Sequence, residues 1–384
     1  MNRDLDRMLS QLVEEIERVE GTRKRFGAVL AQLKDSIDLG RFPAVSRNVL
    51  ESFLVKQIKP TRLDGLKIAG IDGGLVRRRF RSMDLLLTRG VAVIFRFGAE
   101  RALEVDFFPD AFPEPKIIPL TQRLSGPELD QFASLERLAT ELRVTLNILD
   151  EHETDLMLID GSLFFHPRDR PQSTSLVFEK FQEVVALYKQ LYHKARKKKT
   201  LLVGIIKDSR SSRVVSMLGD ILPHVLREPD AFEMMQGIDY RWLLKISRDC
   251  DLLDTFLQEG ERTFAFRYSA ELVQNSNSLE DLYSWASSIW VTYLKTARDD
   301  FPIRVELLAD KKSDTKQLDK ALSAILPLSW QHPEYGIPTP ILEADARARI
   351  TYNETSLIVD RLMALSGLTY SSLEKRRSRN PFGG

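Results

Sequence analysis

Residues 67–80 read KIAGIDGGLVRRRF, and this stretch decides how the rest of the chain is interpreted. Two more runs rich in Val, Ile and Phe follow it, LLLTRGVAVIFRF at residues 85–97 and ALEVDFF at residues 102–108. Apolar or alternating runs of this kind, separated by short breaks, are typical of consecutive strands in one sheet. The sequence therefore predicts a β-sheet that begins near residue 66.

Helical and strand patterns alternate beyond this sheet. A leucine-rich helical pattern over residues 127–151 leads into DLMLIDGSLFF at residues 155–165, which suits a strand buried on both faces. A second helical pattern over residues 175–198 precedes LLVGIIK at residues 201–207. Strand, helix and strand with short joins predict a parallel crossover, so the expected fold class is α/β, with a mixed sheet and flanking helices.

The remaining segments flank this core. Residues 2–35 have the spacing of an amphipathic helix with an interruption near Gly21, which predicts an antiparallel helix pair, an interaction arm or a helix packed on its own domain. Proline-rich residues 109–127 are expected to form an extended linker, and residues 341–365 a helical region. We expect an N-terminal helical region over residues 1–60, a central domain over 61–350, and a C-terminal helix with a basic tail over 351–384.

Composition excludes several classes of protein. With 43% hydrophobic and 29% charged residues in 384, the chain has the make-up of a soluble globular protein, without the run of about 20 apolar residues that a membrane helix needs. Its one cysteine, Cys250, rules out an intrachain disulfide and a cysteine-rich metal site, which favours a reducing, cytoplasmic location. The 56 basic and 55 acidic residues nearly cancel, so any attraction for nucleic acid must be local.

Local basic runs do occur, at residues 77–81, 194–199 and 374–379. They permit a phosphate-binding surface. Several enzyme classes are disfavoured by missing motifs: the sequence has no phosphate-binding Gly-x-x-x-x-Gly-Lys-Ser/Thr loop, no HExxH zinc motif and no Gly-x-Ser-x-Gly nucleophile elbow.

One phrase occurs twice, as Ile71-Asp72-Gly73-Gly74 and as Ile159-Asp160-Gly161-Ser162, each time at the predicted end of an apolar strand. Asp-Gly is a common dipeptide in turns. Its repetition at two buried strand ends, however, favours a site in which two carboxylates lie side by side. Such a cluster needs a cation, and oxygen ligands favour Mg²⁺ or Mn²⁺, which serve phosphodiester hydrolysis.

A third carboxylate would come from the helix that precedes Asp160. Glu141 lies at the edge of the apolar stripe of this helix, whereas Glu136 lies on its polar face, so Glu141 is the better inward-facing candidate. Lys207 ends the apolar strand at residues 201–207, where it either faces a phosphate or extends into solvent.

With these residues in view, the chain resembles the NurA family of DNA nucleases over residues 66–350. The resemblance rests on the order and spacing of IAGIDGG, LMLIDGSL, LLVGIIKDS, LLDTFLQEGERTFAF, YLKTARDDFPIRVELL and YGIPTPILEADARARI. It implies an RNase H-like core for the central domain, which would be the nuclease domain.

The resemblance also implies roles for individual residues. Asp72 and Asp160 match the family's metal-binding aspartates, and the helical glutamate falls on Glu141, with Glu136 as the alternative. Lys207 matches a family lysine. Asp345 stands where many relatives carry a histidine; it could bind Mn²⁺ but could not act as a neutral base, and His332 or Tyr335 would be its substitutes.

The family's properties define the expected function. They imply a homodimeric Mn²⁺- or Mg²⁺-dependent 5′-to-3′ exonuclease and single-strand endonuclease that binds DNA ends. It would act in end resection during double-strand-break repair, by homologous recombination, with a HerA-type hexameric ATPase. Two other hypotheses stay open: a non-catalytic subunit that binds DNA ends or the translocase, and an RNase H-like enzyme that acts on RNA or hybrids.

Overall fold

The computed structural model describes residues 3–99, 102–164, 170–172, 176–268, 285–309 and 315–367. In chain order within this part, the strands are β1 Val55–Gln57, β2 Lys67–Arg79, β3 Asp84–Phe97, β4 Leu103–Phe108, β5 Lys116–Leu120, β6 Leu156–Asp160, β7 Leu201–Ile206, β8 Glu261–Thr263, β9 Phe266–Arg267, β10 Ile289–Leu294 and β11 Ile303–Leu308. The helices are α1 Arg3–Leu33, α2 Pro43–Ser46, α3 Gly126–Glu151, α4 Leu176–Lys198, α5 Arg213–Val225, α6 Pro229–Met235, α7 Tyr240–Ile246, α8 Asp249–Leu253, α9 Lys316–Leu328, α10 Thr339–Ala348 and α11 Tyr352–Ser366, with a short 3₁₀ helix at Leu39–Arg41.

The chain packs into two compact units whose segments interleave along the sequence. The first unit comprises Met1–Arg62, Gly161–Leu163 and Gly204–Pro338, and the second comprises Leu63–Asp160, Phe164–Val203 and Thr339–Gly384. The domain boundaries that the sequence suggests at residues 60 and 350 remain a prediction.

The second unit contains a mixed sheet built around β2. Strand β2 runs antiparallel to β3 over its whole length, from Lys67 opposite Arg96 to Arg79 opposite Asp84, and parallel to β6. Strands β4 and β5 both pair antiparallel with β3. The predicted mixed sheet is therefore confirmed, although β5 lies inside the segment that was expected to be only an extended linker.

Helices cover both faces of this sheet. Helix α3 begins with a capping box in which Ser125 and Glu128 satisfy each other's backbone N–H groups, and it packs on β2 and β3. Helix α10 also packs on β2 and β3, where its alanines meet apolar side chains of β3. The predicted helical region at residues 341–365 is divided in two, because Thr351 caps a new helix with Glu354.

The first unit has its own antiparallel strands and its own core. Strand β10 pairs with β8, β9 and β11, and β1 pairs with β8. The core brings Phe26 and Leu30 of α1 against apolar side chains of α5 and α8. The short elements that follow β7 thus form a packed body around the second half of α1.

Helix α1 is continuous for 31 residues, so the predicted interruption near Gly21 is wrong. A single glycine inside a helix costs only about 1 kcal/mol relative to alanine. The apolar stripe of the first half stays half exposed, as Met8 at 66% and Leu12 at 55% illustrate.

Cys250, at the start of α8, is buried, and its Sγ donates to the carbonyl oxygen of Pro302 at 3.4 Å. Burial, followed by the charge of Asp249, raises the pKa of the thiol to about 12.

Across the residues described, we find no helix with the length and apolar character needed to cross a bilayer.

Candidate metal centre

Asp72 lies in the middle of β2, whereas the sequence placed it at a strand end. Pairing with β3 continues beyond it, with Gly73 opposite Gly90 and Gly74 opposite Arg89. Asp72 is 4% exposed, and its Oδ1 accepts a hydrogen bond from the backbone N–H of Gly73 at 2.7 Å. This Asp-Gly pair is therefore part of a ladder and not a turn.

Asp160 is the last residue of β6, as predicted. Strands β2 and β6 run parallel with Ile71 opposite Ile159, so the next residue on each strand is the aspartate. Because side chains at matching positions of neighbouring strands point to the same face, Asp72 and Asp160 lie side by side. The repeated phrase in the sequence thus produces a pair of adjacent carboxylates.

Asp345 joins this pair from α10. The helix backbone lies directly on β2, because a Cβ at Gly70 would collide with the carbonyl oxygen of Pro340 and a Cβ at Gly74 with that of Ala348. These two glycines flank Asp72 on the same face of the strand. One oxygen from each of Asp72, Asp160 and Asp345 lies within 4.8 Å of the others.

Glu141 of α3 packs against Gly73, the residue that follows Asp72 on β2. A Cβ at Gly73 would lie 2.6 Å from both Cγ and Oε1 of Glu141, so only glycine leaves room for this carboxylate. Glu141 is 1% exposed, and its Oε1 makes no hydrogen bond to the described residues. The alternative Glu136 is also buried, which corrects its expected place on the polar face, and it forms an ion pair with Lys180 at 2.5 Å.

Burial, together with neighbouring negative charge, raises the pKa of two carboxyl groups at this site. Burial, and after it the charge of Asp160, raises the pKa of Asp72 to about 7, and Asp345 adds to the effect. Burial raises the pKa of Glu141 to about 8 against the opposing influence of Arg137. Both carboxyl groups therefore hold their protons more tightly than exposed carboxyl groups do.

Arg137 is a site residue that the sequence reading missed. Its Nη1 lies 3.1 Å from Oε1 of Glu141 and 3.9 Å from Oδ1 of Asp72, and it donates to the carbonyl oxygen of Gly73 at 3.4 Å. The side chain remains 40% exposed. Its position four residues before Glu141, on the same face of α3, is the signal that could have identified it.

The other candidate residues belong to the first unit. Lys207 directly follows β7 and is half-buried. His332 and Tyr335 are exposed. The three carboxylates that the structure brings together are therefore Asp72, Asp160 and Asp345, with Glu141 and Arg137 beside Asp72.

The donor set suits a hard divalent cation. Oxygens that share one Mg²⁺ or Ca²⁺ ion at about 2.0–2.6 Å lie at most about 5 Å apart. The three aspartate oxygens, which lie within 4.8 Å of one another, are close enough for small side-chain adjustments to bring them onto one cation. A bound cation would also favour the ionised forms of Asp72 and Glu141, whose pKa values are raised chiefly by burial.

The mixed sheet and the carboxylate cluster define an α/β protein equipped to bind a divalent cation. The model of the NurA domain matches residues 66–350. The chain belongs to the NurA family of DNA nucleases.

Comparison with solved structures found proteins of similar fold. The NurA nuclease from Sulfolobus solfataricus is similar with a TM-score of 0.54 and 15% identity, over 96% of this chain and 99% of that chain. A NurA structure bound to dAMP and manganese is similar with a TM-score of 0.44 and 11% identity, over 92% of this chain and 95% of that chain. Endonuclease V from Bacillus subtilis is similar with a TM-score of 0.32 and 14% identity, over 82% of this chain and 89% of that chain. No curated protein sequence matched. The predicted fold class, α/β with a mixed sheet and flanking helices, is confirmed.

Proposed function

We propose that this protein is a DNA nuclease that uses a divalent cation, Mn²⁺ or Mg²⁺, held by Asp72, Asp160 and Asp345, with Glu141 as a further ligand. The observation that carries the proposal is the convergence of three aspartate oxygens within 4.8 Å beside β2. Asp345, although it replaces a histidine expected from the family, supplies the ligand type that this cluster needs.

The side chains of the cluster would have different roles in binding the cation and the phosphate. A bound cation would polarise the scissile phosphate and lower the pKa of a bound water. Asp72, Asp160 and Asp345 would hold it as carboxylates, and Glu141 would add negative charge from the α3 side. Arg137, held beside Glu141 but 40% exposed, offers donors to a phosphate oxygen. Lys207 is proposed to neutralise phosphate charge as well.

Membership of the family supports a finer proposal. The enzyme would degrade DNA as a 5′-to-3′ exonuclease and single-strand endonuclease in the cytoplasm. It would do so in end resection for double-strand-break repair, by homologous recombination, with a HerA-type hexameric ATPase that provides ATP hydrolysis.

The same proposal includes partners. A homodimer is supported by the half-exposed apolar stripe on the first half of α1. Contacts to DNA are proposed for the basic runs at residues 77–81 and 194–199. Within these runs Arg77 is paired with Asp130 and Lys194 with Asp150, whereas Arg79 and Arg81 are exposed. The third run, residues 374–379, lies outside the described residues.

A cleavage assay tests the proposal. DNA oligonucleotides labelled at the 5′ or the 3′ end are incubated with the protein in Mn²⁺, in Mg²⁺ or with EDTA. We expect products only with a cation, and their lengths report polarity. Binding without products in either metal would favour the non-catalytic subunit, and preferential cleavage of RNA or hybrids would favour the RNase H-like alternative.

A further inference from the structure

Arg89 is an arginine in the interior of β3. It is 4% exposed, and its neighbours on the same face, Leu87 and Val91, are fully buried. A guanidinium in such surroundings is costly unless it is paired and hydrogen-bonded. All the partners that Arg89 has in the described structure lie in one segment, where α10 ends and α11 begins.

Arg89 binds the end of α10 through its backbone. Its Nη1 donates to the carbonyl oxygen of Arg349 at 3.0 Å and to that of Arg347 at 3.4 Å. The last carbonyls of a helix have no intrahelical donor and carry partial negative charge, so a guanidinium is well suited to them. On β2, directly opposite Arg89, Gly74 leaves room for the carbonyl oxygen of Ala348.

Glu354 completes the arrangement from the first turn of α11. Its Oε1 accepts from Nη2 of Arg89, and its Oε2 accepts from the backbone N–H and the hydroxyl of Thr351, each at 2.8 Å. The hydrogen bond from Arg89 is the largest cause that lowers the pKa of Glu354 to about 2. The carboxylate therefore ties β3 to the start of α11 and limits movement of the loop between the two helices.

The position of this anchor matters because of Asp345. That residue lies two and four residues before the two carbonyls that Arg89 binds, and Asp72 lies two residues before Gly74 on β2. A shift or rotation of the end of α10 would change the distance between Asp345 and the two strand aspartates. Metal ligands must be held within about 0.5 Å of their productive geometry.

We propose that Arg89 and Glu354 are positioning residues that hold Asp345 in the metal centre by fixing the carboxyl end of α10 on the sheet. The inference rests on the proposed function, in that Asp345 is taken as a ligand. Neither residue contacts the cation; both act through the backbone at residues 347–351.

Binding of Mn²⁺ to the full chain, without DNA, tests this inference. Free Mn²⁺ is measured by electron paramagnetic resonance during titration of the wild type, Arg89→Met, Glu354→Gln and Asp345→Asn, with the melting temperature of each. We expect Arg89→Met and Glu354→Gln to weaken Mn²⁺ binding by about 10–100-fold, the usual effect of removing a group that orients metal ligands. Cleavage by both variants should recover as Mn²⁺ is raised.

The matched control is Arg96→Met. Arg96 lies on the same strand and forms an ion pair with Asp106 of β4, away from α10. Its substitution should leave Mn²⁺ affinity unchanged. If Arg89→Met does not fold, Glu354→Gln decides, because it keeps the guanidinium and replaces the half-exposed carboxylate with an amide of the same shape.

The outcomes separate the two proposals. Wild-type Mn²⁺ affinity in Arg89→Met and Glu354→Gln, together with weakened binding by Asp345→Asn, overturns the positioning role and leaves the metal centre intact. Wild-type affinity in Asp345→Asn removes Asp345 from the centre and overturns the positioning role with it.

Discussion

Two groups of buried charges in this protein differ in how they are balanced. In the first unit, the fully buried Arg262 donates to both oxygens of Glu51 at 2.6 Å and to Oδ1 of Asp319 at 2.7 and 2.9 Å. In the second unit, Arg137 is the cation that Asp72 and Glu141 share in the described part of the chain. These two carboxylates lie next to Asp160 and to Asp345, which pairs with Arg349 at 3.7 Å.

The difference separates a structural network from a site. The Arg262 network uses the donors of its guanidinium on fixed partners and leaves no affinity for an additional ion. In the aspartate cluster, burial and then the neighbouring carboxylates raise the pKa of Asp72, and burial raises that of Glu141; perturbed carboxylates of this kind are typical of functional sites. Carboxylates that outnumber their cations are thus a better indication of a site than buried charge alone.

The largest effect should come from Asp72→Asn. Removing this carboxylate takes a ligand from the proposed centre, so cleavage should fall about 10³-fold or more, as for other essential groups of an active site. Its melting temperature in EDTA should equal or exceed that of the wild type, because like-charge repulsion is reduced. The matched control is Asp319→Asn, which should lower the stability of the protein but not its cleavage rate per folded molecule. Equal cleavage rates in Asp72→Asn and the wild type would show that Asp72 is not part of a metal centre.

The next effect concerns stability. Arg262→Met leaves Glu51 and Asp319 without their main cation, and breaking a buried pair in this way costs about 3–5 kcal/mol. The free energy of unfolding from urea titration should fall by that amount. Adding Glu51→Gln and Asp319→Asn to Arg262→Met should recover part of the loss, and a loss below about 1 kcal/mol in the single variant would contradict the importance of the network.

The pH dependence of stability should also distinguish the two regions. Because the pKa values of Asp72 and Glu141 are raised to about 7 and 8 in the folded protein, the stability they contribute is present below about pH 4 and is lost as pH rises towards 8. In EDTA, the free energy of unfolding of wild type relative to Glu141→Gln should decline from pH 5 to 8.

Saturating Mn²⁺ should reverse that decline, because the cation binds the ionised carboxylates. If the free energy of unfolding of the wild type ran parallel to that of Glu141→Gln across this pH range, with and without Mn²⁺, the pKa of Glu141 would not be raised in the folded protein.

The smallest effect should come from the edge of the Arg262 network. Lys56 Nζ lies 2.7 Å from Oδ2 of Asp319, but the lysine side chain is 38% exposed. An exposed pair of this kind contributes under about 1 kcal/mol. Lys56→Met should therefore lower the free energy of unfolding by no more than about 1 kcal/mol, and by less in high salt. A loss comparable to that of Arg262→Met would mean that solvent does not screen the pair of Lys56 and Asp319.

Much of the sheet and part of the site could be predicted from the sequence. The β-rich runs at residues 67–108 and the periodicity of α3 led to β2, β3, β4 and Glu141, because alternation and helical spacing are local signals. The repeated Asp-Gly phrase located Asp72 and Asp160. Asp345 was noticed only through resemblance to a family, since nothing in its local sequence indicates that α10 lies on β2.

Other features depended on packing between distant segments. Gly73 and Gly74 looked like turn residues, but β3 pairs with them and Glu141 and Ala348 occupy the space they leave. The sequence analysis assigned no role to Arg89, because its partners lie more than 250 residues away. Glu136 looked solvent-facing, because the sequence does not show that Lys180 of α4 packs against it.

The state of Cys250 has a practical consequence for experiments on this protein. Because its thiol is buried and its pKa is raised to about 12, almost no thiolate is present at neutral pH to react with a maleimide. The protein without substitutions should therefore not be labelled by thiol-directed probes. Substitution of one exposed residue, such as Met8→Cys on the stripe of α1, would accept a spin label or fluorophore at that single place, without first removing a native cysteine.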